Sequence, residues 1–257
     1  MFKLLDRVLH SAPANGMWEC VDFFPVSMVE DNGLENNIVG NGVKHFLNES
    51  SDDTRTILFD KKTGSNVLQR PVEEIESLRT NSTKFNNIEL DITAEFEIDT
   101  EALSAITEAD AAYSCSTSGG AAQRGAAGPF GLLVLADESR YEQTPVYFYV
   151  TKGSDGKLKA HFCNDKSRSS SAGDVYKGIE GGVVPVLEGE KFSVRVLKSF
   201  AQGGRTCVTS RVYPTRAIFE STRVFVFNNA TAAKVDASVK IWQMKSAEFT
   251  SYNFVGS

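Results

Sequence analysis

Histidine and paired cysteine are scarce in this chain. Three histidines (His10, His45 and His161) share no ligand spacing, and four cysteines contain no Cys-X-X-Cys pair, so no metal site is expected. Walker A, Gly-X-Gly-X-X-Gly and Gly-X-Ser-X-Gly motifs are missing too, which removes the sequence signs of a nucleotide cofactor and of an α/β-hydrolase nucleophile. No cofactor is expected. Positive charge is in deficit: 27 Lys and Arg stand against 33 Asp and Glu, a net charge of −6, and the basic residues are scattered. Such a surface does not suit nucleic acid, which needs a clustered positive field. No apolar run approaches the length of a bilayer span. The first ten residues, MFKLLDRVLH, are broken by Asp6 and Arg7 and are too short for a signal-peptide core, so neither a span nor an export signal is read here. The glycine-rich run TSGGAAQRGAAG (Thr117–Gly128) has no phosphate-cradle spacing and reads as a flexible connection between strands.

Alternation of apolar and polar residues is plentiful. In ITAEFEI, Ile92, Ala94, Phe96 and Ile98 fall on one side, and Thr93, Glu95 and Glu97 on the other, the pattern of a half-buried strand. Similar runs occupy Phe130–Ala136, Val146–Thr151, Leu158–Cys163, Lys191–Leu197, Thr206–Tyr213, Thr222–Asn228 and Ala237–Met244. Gly, Asp, Asn or Ser punctuates most gaps, with KGSDGK (Lys152–Lys157) as a hairpin signal. The reading is all-β, an antiparallel sandwich of jelly-roll type. One stretch differs. RPVEEIESLRT has Pro71 in a first turn, Glu73 and Glu74 early, Arg79 late, and Val72, Ile75 and Leu78 at helical spacing, which predicts a short linker helix.

Chemical interest gathers in GMWECVDFFPVS (Gly16–Ser27), where Glu19 and Asp22 sit within an aromatic, apolar run. Three positions apart on an extended strand, they point to opposite faces and cannot form a same-face carboxylate pair. Surface or turn carboxylates are the plain reading. The chemical reading is a glycosidase acid/base whose pKa is raised where Trp18, Cys20 and Phe23 exclude water. That reading requires a second carboxylate across the scissile bond, from elsewhere. Four cysteines, Cys20, Cys115, Cys163 and Cys207, allow three full pairings, and spacing does not choose among them. Sequons at Asn48, Asn81 and Asn229 are acceptor patterns for N-glycosylation, and they suggest descent from an exported protein.

Taken together, GMWECVDFFPVS, NGVKHFLN, DDTR, TILFDKKTGSNVLQRPVEEIESLR, AEFEID, YSCSTSGGAAQRGAAGPFGLLVLAD, EQTPVYFYVTKGSDGKLKAHFCNDKSRSS, SFAQGGRTCVTSRVYPTRAIFE, VFNNAT and VKIWQM resemble the plant acid invertases. These are the β-fructofuranosidases of glycoside hydrolase family 32, and the likeness covers almost the whole chain. It implies a remnant of a five-bladed β-propeller over 1–69, a helical linker over 70–82 and a C-terminal antiparallel β-sandwich over 83–257. It implies retaining hydrolysis of sucrose to glucose and fructose, with sucrose or a fructan-type carbohydrate as the partner. By the same resemblance Glu19 is the acid/base, Cys20 supports it, Trp18 and Asp22 touch substrate, and Cys115 pairs with Cys163. Val21, within WECVD, is similar to the vacuolar type and implies that compartment.

Departures from the family pattern are equally specific. The WMNDPNG-type motif that carries the nucleophile does not occur in the chain, nor does the Arg-Asp-Pro motif of the transition-state stabiliser; the resemblance places both ahead of residue 1. DDTR runs straight into TILFD, NIELDITAEF and VRVLKSFAQGG look shortened, and Arg70 stands where the family has Trp. The expectation is an acid invertase in truncated, internally deleted form that cannot catalyse alone. The alternative is a carbohydrate-binding or regulatory module that associates with intact invertase.

Overall fold

The computed structural model describes residues 21–29, 42–49, 55–80, 89–104, 106, 113–196 and 199–245, with backbone alone at 21–23, 45–49 and 100. Strands β1 (Val21–Ser27) and β2 (Val43–Glu49) form one antiparallel ribbon, and β3 (Arg55–Phe59) and β4 (Val67–Pro71) form a second. A 3-10 helix over Glu73–Leu78 leads to β5 (Arg79–Thr80) and β6 (Leu90–Ile98). A five-residue helix, α1 (Thr100–Ser104), follows. Next come β7 (Phe130–Ala136), β8 (Thr144–Lys152), β9 (Leu158–Asp165) and β10 (Ile179–Val184). The series ends with β11 (Phe192–Val196), β12 (Ser199–Ala201), β13 (Thr206–Val208), β14 (Arg223–Asn228) and β15 (Val235–Met244). Among the described residues, one sheet runs β10-β9-β8-β7-β14 and the other β13-β12-β11-β6-β15-β5.

The two sheets face each other as an antiparallel sandwich, and the alternation in the sequence explains why. Ile92, Ala94, Phe96 and Ile98 of β6 are all buried, while Glu95 and Glu97 are exposed on the opposite face. Phe96 meets Phe130 and Phe148 with ring centroids 5.6 and 6.3 Å apart, and Phe192 lies 5.2 Å from each of the latter two. Edge-to-face packing of this kind adds to the apolar burial that holds the sheets together. KGSDGK closes the β8–β9 hairpin as expected, Gly153 N donating to Lys157 O at 2.8 Å.

Three local expectations need correction. The predicted linker helix is a single 3-10 segment of six residues with Arg70 and Pro71 drawn into β4. Val72, Ile75 and Leu78 recur every third position, which suits the three-residue turn of a 3-10 helix, where such side chains eclipse. The strand read over Thr206–Tyr213 stops at Val208, where its pairing with β12 ends. The glycine-rich run is not a loose connection either. It lies over the outer face of the five-stranded sheet, and Tyr113, Cys115 and Ala121 pack there with Tyr147, Tyr149 and Cys163. Gly120 (φ +66°) lets this flap close, since a Cβ there would sit 2.1 Å from Asp165 Oδ2.

Two buried carboxylates organise the rest. Asp91, with no exposed surface, accepts from Arg79 Nε at 2.8 Å and from Arg195 Nε and NH2 at 2.9 and 2.6 Å. Glu76 on the 3-10 helix also reaches Arg195 NH1 at 3.0 Å, so the helix is tied to the sheet. Glu142, 1% exposed, lies between loops rather than strands. It accepts from Ser171 N at 2.5 Å, Thr215 N at 2.9 Å, Thr215 Oγ1 at 2.6 Å, Arg216 N at 2.6 Å and Ala217 N at 3.1 Å. Burial alone would raise its pKa. The donors from Thr215, Arg216, Ser171 and Ala217 outweigh that and hold the carboxyl far below the ordinary glutamate value of 4.5.

A depressed folded-state pKa gives stability that is present above the unfolded value and lost as pH falls through the folded one. Glu142→Gln keeps the shape but removes the charge, and the expected loss at pH 5 to 7 is about 3 kcal/mol, a fall in Tm on the order of 10 °C. Thermal unfolding by circular dichroism measures it. The gap between wild type and variant should be level from pH 7 to 5 and narrow below about 4; a gap that widens on acidification contradicts the assignment.

Candidate functional site

β1 carries the sequence that runs on from Glu19 and Cys20. Trp18, Glu19 and Cys20 lie outside the described residues, as does Asn81. Asp22 is placed by backbone alone, opposite Asn48 in the β1–β2 register. At the other end of β1, Val26 is wholly buried and Ser27 is 2% exposed, so the strand is anchored at its C-terminal end. The two ribbons are knit together by lysines. Lys61 Nζ donates to Val29 O at 2.9 Å, Lys44 Nζ donates to Gly64 O at 3.0 Å, and Lys44 lies 5.1 Å from the centre of the Phe59 ring.

The β3–β4 hairpin is in turn fastened to the sandwich. Asp60, 2% exposed, follows β3 and shapes the turn, accepting from Lys62 N at 3.1 Å and Thr63 Oγ1 at 2.9 Å. Its Oδ2 also accepts from Arg205 Nε at 2.6 Å. The same guanidinium grips Glu190 with both of its terminal nitrogens, NH2 at 3.0 Å, and NH1 donates also to Pro185 O at 3.2 Å. The Arg205 and Asp60 side chains are 4% and 3% exposed, so this pair meets almost out of water, with Glu190 at its partly open edge. Burial works against ionised Asp60, but the bonds from Arg205 and Thr63 win and lower its pKa. Glu190 is held at about 2, chiefly by Arg205 against the effect of burial. Around this lock Arg70 Nε donates to Gly203 O at 3.1 Å, and Arg55 NH2 to Thr209 Oγ1 at 2.8 Å. Gly204 (φ +106°) admits the hairpin, because a Cβ there would stand 2.0 Å from Gln69 O.

Between β4 and the outer face of the six-stranded sheet runs a groove of about 450 Å³, lined by Arg70, Glu76, Thr93, Glu95, Arg195 and Lys240 among others. It opens past Gly203 into a broader depression beside Asp60 and Lys191. Charges of both signs line it, a wall suited to hydroxyl-rich ligands through paired donors and acceptors.

Cys115 and Cys163 are joined by a disulfide of 2.01 Å that pins the flap to β9; Cys207 is not part of that bridge. Asn229 follows β14 and is half-buried; its Nδ2 donates to Ala121 O at 3.1 Å, and Thr231 Oγ1 donates to Gly125 O at 3.1 Å. His161 is buried, with Nε2 3.2 Å from Thr151 Oγ1 and its ring against Tyr113, a structural role. Among the described residues no group of His, Cys, Asp and Glu is placed to hold a metal, and no helix is long and apolar enough to cross a membrane. Sequence reasoning missed the Asp60–Arg205–Glu190 and Glu142 clusters. The only local sign was an Asp leading into a Lys-Lys-Thr-Gly turn.

Comparison with known proteins adds the missing context. Residues 74–243 match the profile of "Glycosyl hydrolases family 32 C terminal". Acid beta-fructofuranosidases from Vigna radiata var. radiata and Vicia faba are each 43% identical over 98% of this chain. A vacuolar acid beta-fructofuranosidase of Arabidopsis thaliana is 40% identical over 98%. The chain spans about half the length of these relatives, 54% for the Vigna protein. That alignment extends over 353 positions, more than the 257 residues here, so the relative carries internal stretches with no counterpart in this chain. Among solved structures, fructan 1-exohydrolase IIa from Cichorium intybus superimposes with a TM-score of 0.80 at 26% identity, covering 96% of this chain and 65% of that one. A form of it in complex with 1-kestose gives 0.77. The architecture is the propeller-and-sandwich fold, and the chain belongs to glycosyl hydrolase family 32.

Proposed function

We propose that the chain is the rear part of a plant acid β-fructofuranosidase, acting on sucrose or a fructan-type carbohydrate in a vacuole-type acidic setting. The observation that carries this is identity of about two residues in five, over nearly the whole chain, to acid beta-fructofuranosidases, some of them named as vacuolar. Glu19 serves as the acid/base, Cys20 supports it, and Trp18 and Asp22 contact the sugar. The partition into 1–69, 70–82 and 83–257 is supported by the two ribbons, the 3-10 segment and the sandwich. Sequons at Asn48, Asn81 and Asn229 are the proposed glycosylation positions.

Retaining hydrolysis needs a nucleophile about 5 Å from the acid/base to hold the glycosyl group until water arrives. Within residues 1–257 neither the WMNDPNG-type nor the Arg-Asp-Pro motif occurs, so Glu19 has no partner to trap a fructosyl cation. Residues 1–257 alone should release no more glucose from sucrose at acidic pH than the Glu19→Gln variant does, in a coupled glucose assay. Release that depends on Glu19 would sink the claim.

A second reading, a non-catalytic binding module, is favoured by the intact sandwich and its groove. Titration against 1-kestose and against a full-length invertase tests it, and no binding to either removes it.

The ion lock that seats β3–β4 predicts its own signature. Arg205→Met leaves buried Asp60 without a counter-charge, and about 3–5 kcal/mol should be lost. Hydrogen exchange of β3 and β4 should rise well before that of β7 and β8, with Arg205→Lys recovering only part, since lysine cannot hold both carboxylates in fixed geometry. With both carboxylates depressed, the lock should be as strong at pH 5 as at pH 7 and fail only as pH approaches about 2, where Glu190 takes up its proton. Unchanged exchange in β3–β4 would contradict its role.

A further inference from the structure

On the outer face of the five-stranded sheet, on the other side of the sandwich from the groove, the flap, the β7–β8 loop and the segment after β9 enclose a cavity of about 280 Å³. Its floor is apolar. Leu133 of β7 and Pro145 of β8 are opposite one another in register, and Phe227 of β14 lies alongside. Its rim carries cations without counter-ions. No hydrogen bond or ion pair is recorded to the guanidinium of Arg140 among the described residues; it rests 5.9 Å from the centre of the Phe225 ring. Arg168 donates through NH2 to the carbonyls of Arg140 and Tyr141 and meets no carboxylate there. Gln143 spends its backbone N–H on Arg168 O at 2.8 Å and leaves its side-chain amide unengaged. The walls are stiff, because Asp165 holds the flap through Ala121 N at 3.0 Å and its own loop through Ser167 N at 2.9 Å.

We infer that this cavity binds one carboxylate-bearing sugar residue, a hexuronate. The carboxylate lies between Arg140 and Arg168, the apolar face of the ring rests on Pro145 and Phe227, and a hydroxyl meets the Gln143 amide. A guanidinium with free N–H groups is the side chain best shaped for a carboxylate. An apolar floor with few convergent polar groups is the general form of a small-ligand site. The inference concerns the sandwich alone and holds whether or not the chain hydrolyses sugar.

Calorimetric titration of the full chain with glucuronate, glucose, acetate and inorganic phosphate tests it. Glucuronate should bind saturably at one site, and Kd should rise about tenfold in Arg140→Gln. That side chain is exposed and its guanidinium meets only the Phe225 ring among the described residues, while the backbone bonds of residue 140 do not depend on it, so the variant should keep the wild-type Tm. Glucose, acetate and phosphate should each bind at least about tenfold more weakly than glucuronate. Absence of saturable glucuronate binding, an unchanged Kd in Arg140→Gln, or equal binding of glucose, acetate or phosphate would overturn the inference.

Discussion

The contact between Arg205 and its two carboxylates is what makes the described residues one object. Asp60 comes from the turn of the β3–β4 hairpin, and Arg205 and Glu190 come from the sandwich. Taking three charges out of water is unfavourable unless each is matched, so the hairpin has one seat in which all three are satisfied. β1 is referenced to that seat through Lys61 and Val29, and the segment carrying Glu19 and Cys20 leads into β1. The sandwich therefore acts on the ribbons as a jig, setting where β1 and β3 are held.

Acid conditions weaken most carboxylate-based contacts, and three carboxylates of this chain resist that effect. Glu142, Glu190 and Asp60 are all held ionised by donors in direct contact, below their ordinary range. An acid/base glutamate needs the opposite setting, with water excluded and the proton retained. Hydrogen bonding and burial pull in opposite directions on a carboxylate, and in Glu142, Glu190 and Asp60 the hydrogen bonds win.

Much of the sandwich was legible in the sequence because its strands alternate cleanly. β7 was read to the residue, and β6 from the four apolar positions that now face Phe130 and Phe148. β10 and β12 were missed. IEGGVV shows no alternation around its two glycines, and SFA is too short to display a period. A spacing of three serves the 3-10 segment and an α-helix alike, so periodicity does not separate the two there. The lock and the Glu142 cluster were illegible for a different reason: Asp60 and Arg205 are 145 positions apart, and no local pattern reports a pairing at that range. The family resemblance supplied what periodicity could not, namely the partnership of Cys115 with Cys163.

The place of β6 has a consequence in time. Its neighbours in the six-stranded sheet are β11 and β15, made of residues 192–196 and 235–244, whereas β7 to β10 follow one another as antiparallel neighbours. During synthesis four strands of the five-stranded sheet, β7 to β10, can pair as they emerge. β6, with Ile92 and Phe96 on its apolar face, must wait unpaired on both edges until most of the chain has been made. Such a strand is the one most exposed to wrong partners on the way to the folded state. Its alternate positions carry Glu95 and Glu97, charges of one sign on an otherwise sticky ribbon, and these oppose edge-to-edge pairing during that interval.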